Sequence, residues 1–279
     1  MTKTTKISLA VIGALVLALA GGYLGAGFRG ADSAAASATA GSWVQDIEDR
    51  GELRVGVAIA PPMTVDKDGV LGGPNLIPLQ QLADALDVKL VTVPADWENI
   101  VAGLQAGRYD VAANLDSTLE RAKAIQFSDP VYEYQGVFVV KADSPYDSSE
   151  QIVKSGEKVA TPAGSAPGAA VAESGAEVLE LTDYTSSLNA VEANRAIAVF
   201  ADLPTAESQA QANDNYKIVV PDPAIYAATA NYGVPADIDA RSLELINIAI
   251  RGANLSGVME RAYVEENYLP IDQLGDLEK

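Results

Sequence analysis

Asn114-Leu-Asp-Ser-Thr-Leu-Glu-Arg-Ala-Lys-Ala-Ile-Gln-Phe-Ser-Asp-Pro130 packs a strand end, a helix start and one arginine into a single short stretch. The residues just before it, Tyr109-Asp-Val-Ala-Ala-Asn-Leu115, read as a buried strand. Ser117-Thr-Leu-Glu120 then fits a capping box, in which a hydroxyl and a carboxylate satisfy the free N–H groups that open a helix. Such an N-terminus attracts anions, and Arg121 adds a planar fork that matches a carboxylate. Taken alone, the same pattern also describes an ordinary capped helix with a solvated arginine.

Outward from this stretch, short β-branched runs alternate with helical patterns. Leu53–Ile59, Lys89–Val93, Tyr109–Leu115 and Gly136–Lys141 read as strands. Between them, Asn75–Leu86 sets Leu76, Leu79, Leu82 and Leu86 along one helical face. Glu98–Gly107 does the same with Ile100, Val101 and Leu104, and Gly107 suits the C-terminal cap. A second cycle follows: a strand at Lys158–Thr161, a helix from Pro167, a helix around Ser186–Asn194, then strands Ala196–Ala201 and Lys217–Val220. Asp239–Gly252 and Leu255–Glu266 close the chain as helices. Alternation of this kind implies parallel strands with crossover helices, and the length suits two such α/β units.

Composition removes several function classes. The formal charge is −19 over 279 residues. Lys3, Lys6, Arg29 and Asp32 give residues 1–40 a charge of +2, so residues 41–279 carry −21. Binding to nucleic acid needs clustered cations to neutralise phosphates, so a nucleic-acid partner is not expected. The chain has no histidine and no cysteine. Disulfides, thiolate metal sites, cysteine nucleophiles and the usual histidine base of a serine triad are thereby excluded. No oxygen-ligand loop of the calcium type is present either, so no metal and no cofactor are expected. At the N-terminus, Lys3 and Lys6 precede an apolar run from Ile7 to Ala20 that extends to Phe28, and Ala38-Thr-Ala40 fits the small-x-small rule for signal cleavage. Residues 1–40 thus read as a signal peptide, or as an uncleaved anchor, with an Ala/Ser/Gly-rich spacer.

Leu53-Arg-Val-Gly-Val57, Asp96-Trp-Glu-Asn-Ile100, Leu104-Gln-Ala-Gly-Arg-Tyr-Asp110, Glu120-Arg-Ala-Lys-Ala124 and Phe127-Ser-Asp-Pro130 occur in one order. Together they resemble the extracellular solute-binding proteins of ABC importers, specifically the polar amino-acid family. The resemblance runs from about Leu53 to Tyr268. It implies a two-lobed α/β fold of the type II periplasmic-binding (Venus-flytrap) kind, joined by two hinge strands near Tyr134–Phe138 and Ala227–Val234. The implied division is 41–135 and 231–279 for lobe 1 and 136–230 for lobe 2. It further implies a monomer outside the cytoplasm that closes on an amino acid or related amine and hands it to a membrane permease. Catalytic residues are not implied.

Residue by residue, Arg121 matches the family's arginine that clamps the ligand carboxylate, and Trp97 matches the aromatic beside the ligand side chain. Ser165, within Ala163-Gly-Ser-Ala-Pro-Gly168, matches a loop that touches the same carboxylate. Asp202 matches the acid that pairs with the ligand's amino group. Thr118 joins this set from the arginine segment, and Met63 from Ala60-Pro-Pro-Met63, where the family often shows aromatic walls. The chain departs from the pattern at Asp116, which stands where serine or threonine is usual, and at Ala113 and Asn114. Two like charges about 4 Å apart repel by roughly 4 kcal/mol at an effective dielectric near 20, so Asp116 opposes a ligand carboxylate. Three readings stay open: Asp116 neutralises Arg121, turns out of the cleft, or joins Asp202 in a site for an amine or guanidine-like cation. The alternatives to transport are a dehydratase-like enzyme of the same fold acting on a small carboxylic acid, and a ligand-sensing or non-transport paralogue.

Overall fold

The computed structural model describes residues 41–67 and 70–265. The signal or anchor expected over residues 1–40 lies outside the described residues, as does the end of the final helix at Glu266. Among the described residues no helix is long and apolar enough to cross a membrane.

The chain starts with helix α1 (Ser42–Arg50) and strand β1 (Glu52–Val57), joined through Gly51, which adopts φ +76° as the helix C-cap. A small hairpin, β2 (Val65–Lys67) and β3 (Val70–Gly72), leads to helix α2 (Ile77–Ala85) and strand β4 (Lys89–Pro94). Helix α3 (Ile100–Gln105) and strand β5 (Val111–Asp116) complete the first α/β unit. β1 pairs in parallel with both β4 and β5, as the crossover helices require. Every residue of β5 is buried, the polar Asn114 and Asp116 at its carboxyl end included.

The expected helix at Arg121 is not there. Only a three-residue 3₁₀ turn, Arg121–Lys123, separates β5 from the next strand. The Thr118 hydroxyl accepts from the Arg121 N–H at 3.2 Å, whereas the Ser117 hydroxyl is 3.3 Å from that of Thr229. The capping hydroxyl is thus Thr118, and strand β6 begins too soon at Gln126 for a helix to grow.

β6 (Gln126–Lys141) spans 16 residues and organises the molecule. Up to Gln135 it pairs antiparallel with β11 (Ala227–Val234); from Gly136 it pairs antiparallel with β9 (Ala198–Asp202). At the switch, the Gly136 N–H donates to the Tyr226 carbonyl at 2.9 Å. A Cβ at Gly136 would lie 2.6 Å from the Phe200 ring, so only glycine permits this crossing. Around the far half of β6 sit helix α4 (Ser149–Lys154), β7 (Lys158–Pro162), α5 (Ala166–Glu173), β8 (Glu177–Leu181), α6 (Tyr184–Glu192), α7 (Leu203–Ala212) and β10 (Tyr216–Val219). Their sheet is anchored by Phe138 against Phe200, with ring centroids 4.7 Å apart and both side chains fully buried. Burying one such ring contributes about 2–3 kcal/mol.

The full strand order is β4-β1-β5-β11-β6-β9-β7-β8, with β10 on β6. Two lobes therefore share two connecting strands, β6 and β11. Helix α8 (Ala240–Leu255) returns to the first lobe and packs on α2 and β6, followed by α9 (Val258–Glu265). The Asp239 carboxylate fixes that return: it caps α8 through the Ser242 N–H at 2.9 Å and accepts from the Trp43 N–H of α1.

Candidate functional site

Four strands end at one place. Asp116 is the last residue of β5 and Asp202 the last of β9; Ser165 follows β7, and Trp97 follows β4. This is the carboxyl edge at which open α/β sheets form ligand crevices. The cleft between the lobes is lined by Trp97, Asn114, Asp116, Arg121, Ser165 and Asp202, together with Tyr132, Tyr134, Tyr184, Ala166 and Pro167, around a cavity of about 20 Å³.

Asp116 faces this cleft, so the reading that turns it outward does not hold. Its Oδ1 accepts from the Tyr134 hydroxyl at 2.8 Å. Burial raises its carboxyl to about 6; the Tyr134 hydrogen bond, the Arg121 charge and the Tyr226 hydroxyl oppose the rise. Asp202 sits opposite as the N-cap of α7, accepting from the Thr205 N–H and hydroxyl, each at 3.0 Å. Burial lifts this carboxyl to about 6 as well; the Thr205 hydrogen bonds oppose it and the Asp116 charge adds to it. Asp202 is therefore both a helix cap and a cleft-facing acid.

Arg121 does not neutralise Asp116 by a side-chain ion pair. Its guanidinium donates to the backbone carbonyl of Asp116 at 3.3 Å and to that of Gly164, in the other lobe, at 3.1 Å. The second bond ties the lobes together. At the same seam Gly164 adopts φ +72°, and a Cβ there would lie 2.6 Å from the Glu98 Cα. The lobes meet backbone to backbone, and glycine alone allows it.

Asn114 holds a left-handed φ of +61°, a conformation asparagine tolerates better than most residues. Its Oδ1 accepts from Asn75 Nδ2 at 2.6 Å and from the Tyr132 hydroxyl at 2.7 Å. Ser165 caps α5, accepting from the Gly168 N–H at 3.2 Å, and lies 3.1 Å from the Thr161 hydroxyl.

Two expected residues lie elsewhere. Met63 is fully buried inside the first lobe, and its carbonyl accepts from the Asn75 N–H at 3.3 Å. Reciprocal hydrogen bonds between Ala60 and Thr64, each 3.0 Å, fold this turn inward and take Met63 away from the cleft. Thr118 supports the turn that presents Arg121 and does not line the cleft itself. Sequence reasoning missed the tyrosines. Tyr132 and Tyr134 point to one face of β6 by strand alternation, with ring centroids 6.0 Å apart, and Tyr226 packs beyond Tyr134 in a tilted arrangement at 6.1 Å. The signal was present in Tyr132-Glu-Tyr134, an alternation masked by Pro130 just upstream.

The family described as bacterial extracellular solute-binding proteins, family 3, matches residues 53–265. A probable amino-acid ABC transporter-binding protein from Haemophilus influenzae is 31% identical over 58% of this chain. The chain spans 64% of that relative's length. Among solved structures, the arginine-bound form of truncated ArgBP from T. maritima superposes with a TM-score of 0.68 and 28% identity, covering 74% of this chain and 98% of that one. The ancestral amino acid-binding protein AncCDT-1, a precursor of cyclohexadienyl dehydratase, gives a TM-score of 0.72 and 26% identity over 80% of this chain and 99% of that one. The architecture is that of the type II periplasmic binding proteins.

Proposed function

We propose, from the premise that this chain belongs to the bacterial extracellular solute-binding proteins of family 3, that it is the extracytoplasmic receptor of an ABC importer. It captures a small polar solute, an amino acid or related amine, and delivers it as a monomer to a membrane permease. Residues 1–40 act as signal or anchor, residues 41–135 and 231–279 form lobe 1, and residues 136–230 form lobe 2. The observation that carries the reading is the cleft itself, walled by Trp97, Asn114, Asp116 and Arg121 from one lobe and by Ser165, Tyr184 and Asp202 from the other. A solute touching both walls stabilises the closed arrangement over the open one, which is how binding becomes a shape a permease can read.

An enzyme acting on a small carboxylic acid fits less well. Asp116 and Asp202 would repel such a substrate from both sides of a cleft that offers one arginine. The test is a thermal-shift screen of the purified protein against amino acids, amines and small carboxylates. A solute at a hundredfold over its dissociation constant adds about 2.7 kcal/mol of stability. Stabilisation by amino acids or amines supports the proposal; turnover of a carboxylic acid, or no response to any solute, removes it.

A further inference from the structure

We infer that the cleft is built for an organic cation without a carboxylate, an amine or guanidine rather than a zwitterionic amino acid. This rests on the solute-binding reading and narrows it. Two groups that could hold a carboxylate are partly committed inside the protein. Arg121 gives one N–H from each terminal nitrogen to the backbone carbonyls of Asp116 and Gly164, which commits two of its five donors. At the start of α5, Pro167 has no N–H, and Gly168 and Ala169 donate theirs to the hydroxyl and carbonyl of Ser165.

What remains facing the space is complementary to a cation. Asp116 and Asp202 are 8% and 6% exposed and belong to different lobes, so one positive group between them is drawn by both. Both carboxyls are raised by burial, and Asp202 also by its neighbour's charge, a cost that a bound cation relieves. Trp97, Tyr132, Tyr134 and Tyr184 complete the wall, and aromatic faces attract alkylammonium and guanidinium groups. When both acids are ionised, the three charged residues of the lining sum to one net negative charge, which an added carboxylate would make worse.

The experiment is isothermal titration calorimetry of the full-length purified protein with matched pairs: agmatine against arginine, and cadaverine against lysine. Each pair differs only by the carboxylate. The inference predicts that agmatine or cadaverine binds at least tenfold tighter than its amino-acid partner. In Asp116→Asn that preference should shrink by at least tenfold, with the melting profile confirming that the variant is folded. Equal or tighter binding of the amino acids overturns the inference and leaves the solute-binding reading in place. Binding of none of the four overturns it too, and the general reading then depends on the wider thermal-shift screen.

Discussion

Asp116→Asn should stabilise the unliganded protein at neutral pH, which is unusual for a substitution in a buried site. The Asp116 carboxyl moves from 3.8 in an unfolded chain to about 6 in the fold, because burial penalises its charged form. At 1.36 kcal/mol for each tenfold change, that displacement corresponds to about 3 kcal/mol against the folded state once the group is ionised. The sign follows from proton counting. Below pH 3.8 the acid is protonated in both states and nothing is lost. Between there and about 6 the unfolded chain ionises first, so stability falls as pH rises; above 6 the loss is complete. Asparagine keeps an oxygen for the Tyr134 hydroxyl and removes the charge. Its gain should therefore be absent near pH 4 and reach about 3 kcal/mol near pH 7.5, or roughly 6–12 °C in melting temperature. Tyr134, Tyr226, Arg121 and Asp202 all face this group, so Asp202→Asn is the companion control for mutual repulsion. The assay is differential scanning calorimetry of wild type and variant from pH 4 to 8. A variant less stable than wild type by the same amount at every pH would mean that the buried charge of Asp116 does not cost the fold stability.

Gly164→Ala should leave the lobes folded but impede closure: its Cβ would meet the Glu98 backbone at 2.6 Å, and its φ of +72° costs alanine a further ~1 kcal/mol. Solute affinity measured by calorimetry should fall by more than about tenfold. Ser165→Ala removes the cap of α5 and should cost about 1 kcal/mol in urea denaturation, since the Gly168 N–H loses its acceptor. Asp110→Asn should cost about 2–3 kcal/mol in the same assay, because the carboxylate takes Arg50 at 2.6 Å, the Arg54 guanidinium at 2.8 Å and the Arg54 N–H at 2.9 Å. Asp110 lies at the opposite end of β5 from the cleft, so the ranking of solutes should not change.

Where the pattern is periodic, the sequence was a good guide to the fold. Leu79 and Leu82 are buried on α2, and the β5 run is buried throughout, as their spacing requires. Non-local features were less legible. β6 was read only from Gly136, because Pro130 and the charged Glu133 interrupt the apolar pattern; its first half is stabilised by pairing with β11, almost a hundred residues away in sequence. α7 was missed because its N-cap, Asp202, directly follows the apolar run read as strand Ala196–Ala201. In the cleft, Arg121 was suggested by local sequence and by the family resemblance, and Asp116 by the resemblance alone, but their relation depends on Gly164 of the other lobe, which no local spacing encodes. Met63 was misplaced for a similar reason: reciprocal bonding of Ala60 and Thr64 decides which way that turn faces.

Transport by this protein requires that both lobes close on one solute. Small-angle X-ray scattering during titration with the solute that raises the melting temperature most tests it directly. The radius of gyration should fall saturably with occupancy in the wild-type protein and stay unchanged in Gly164→Ala. Saturable binding with no compaction of the wild-type protein would contradict it.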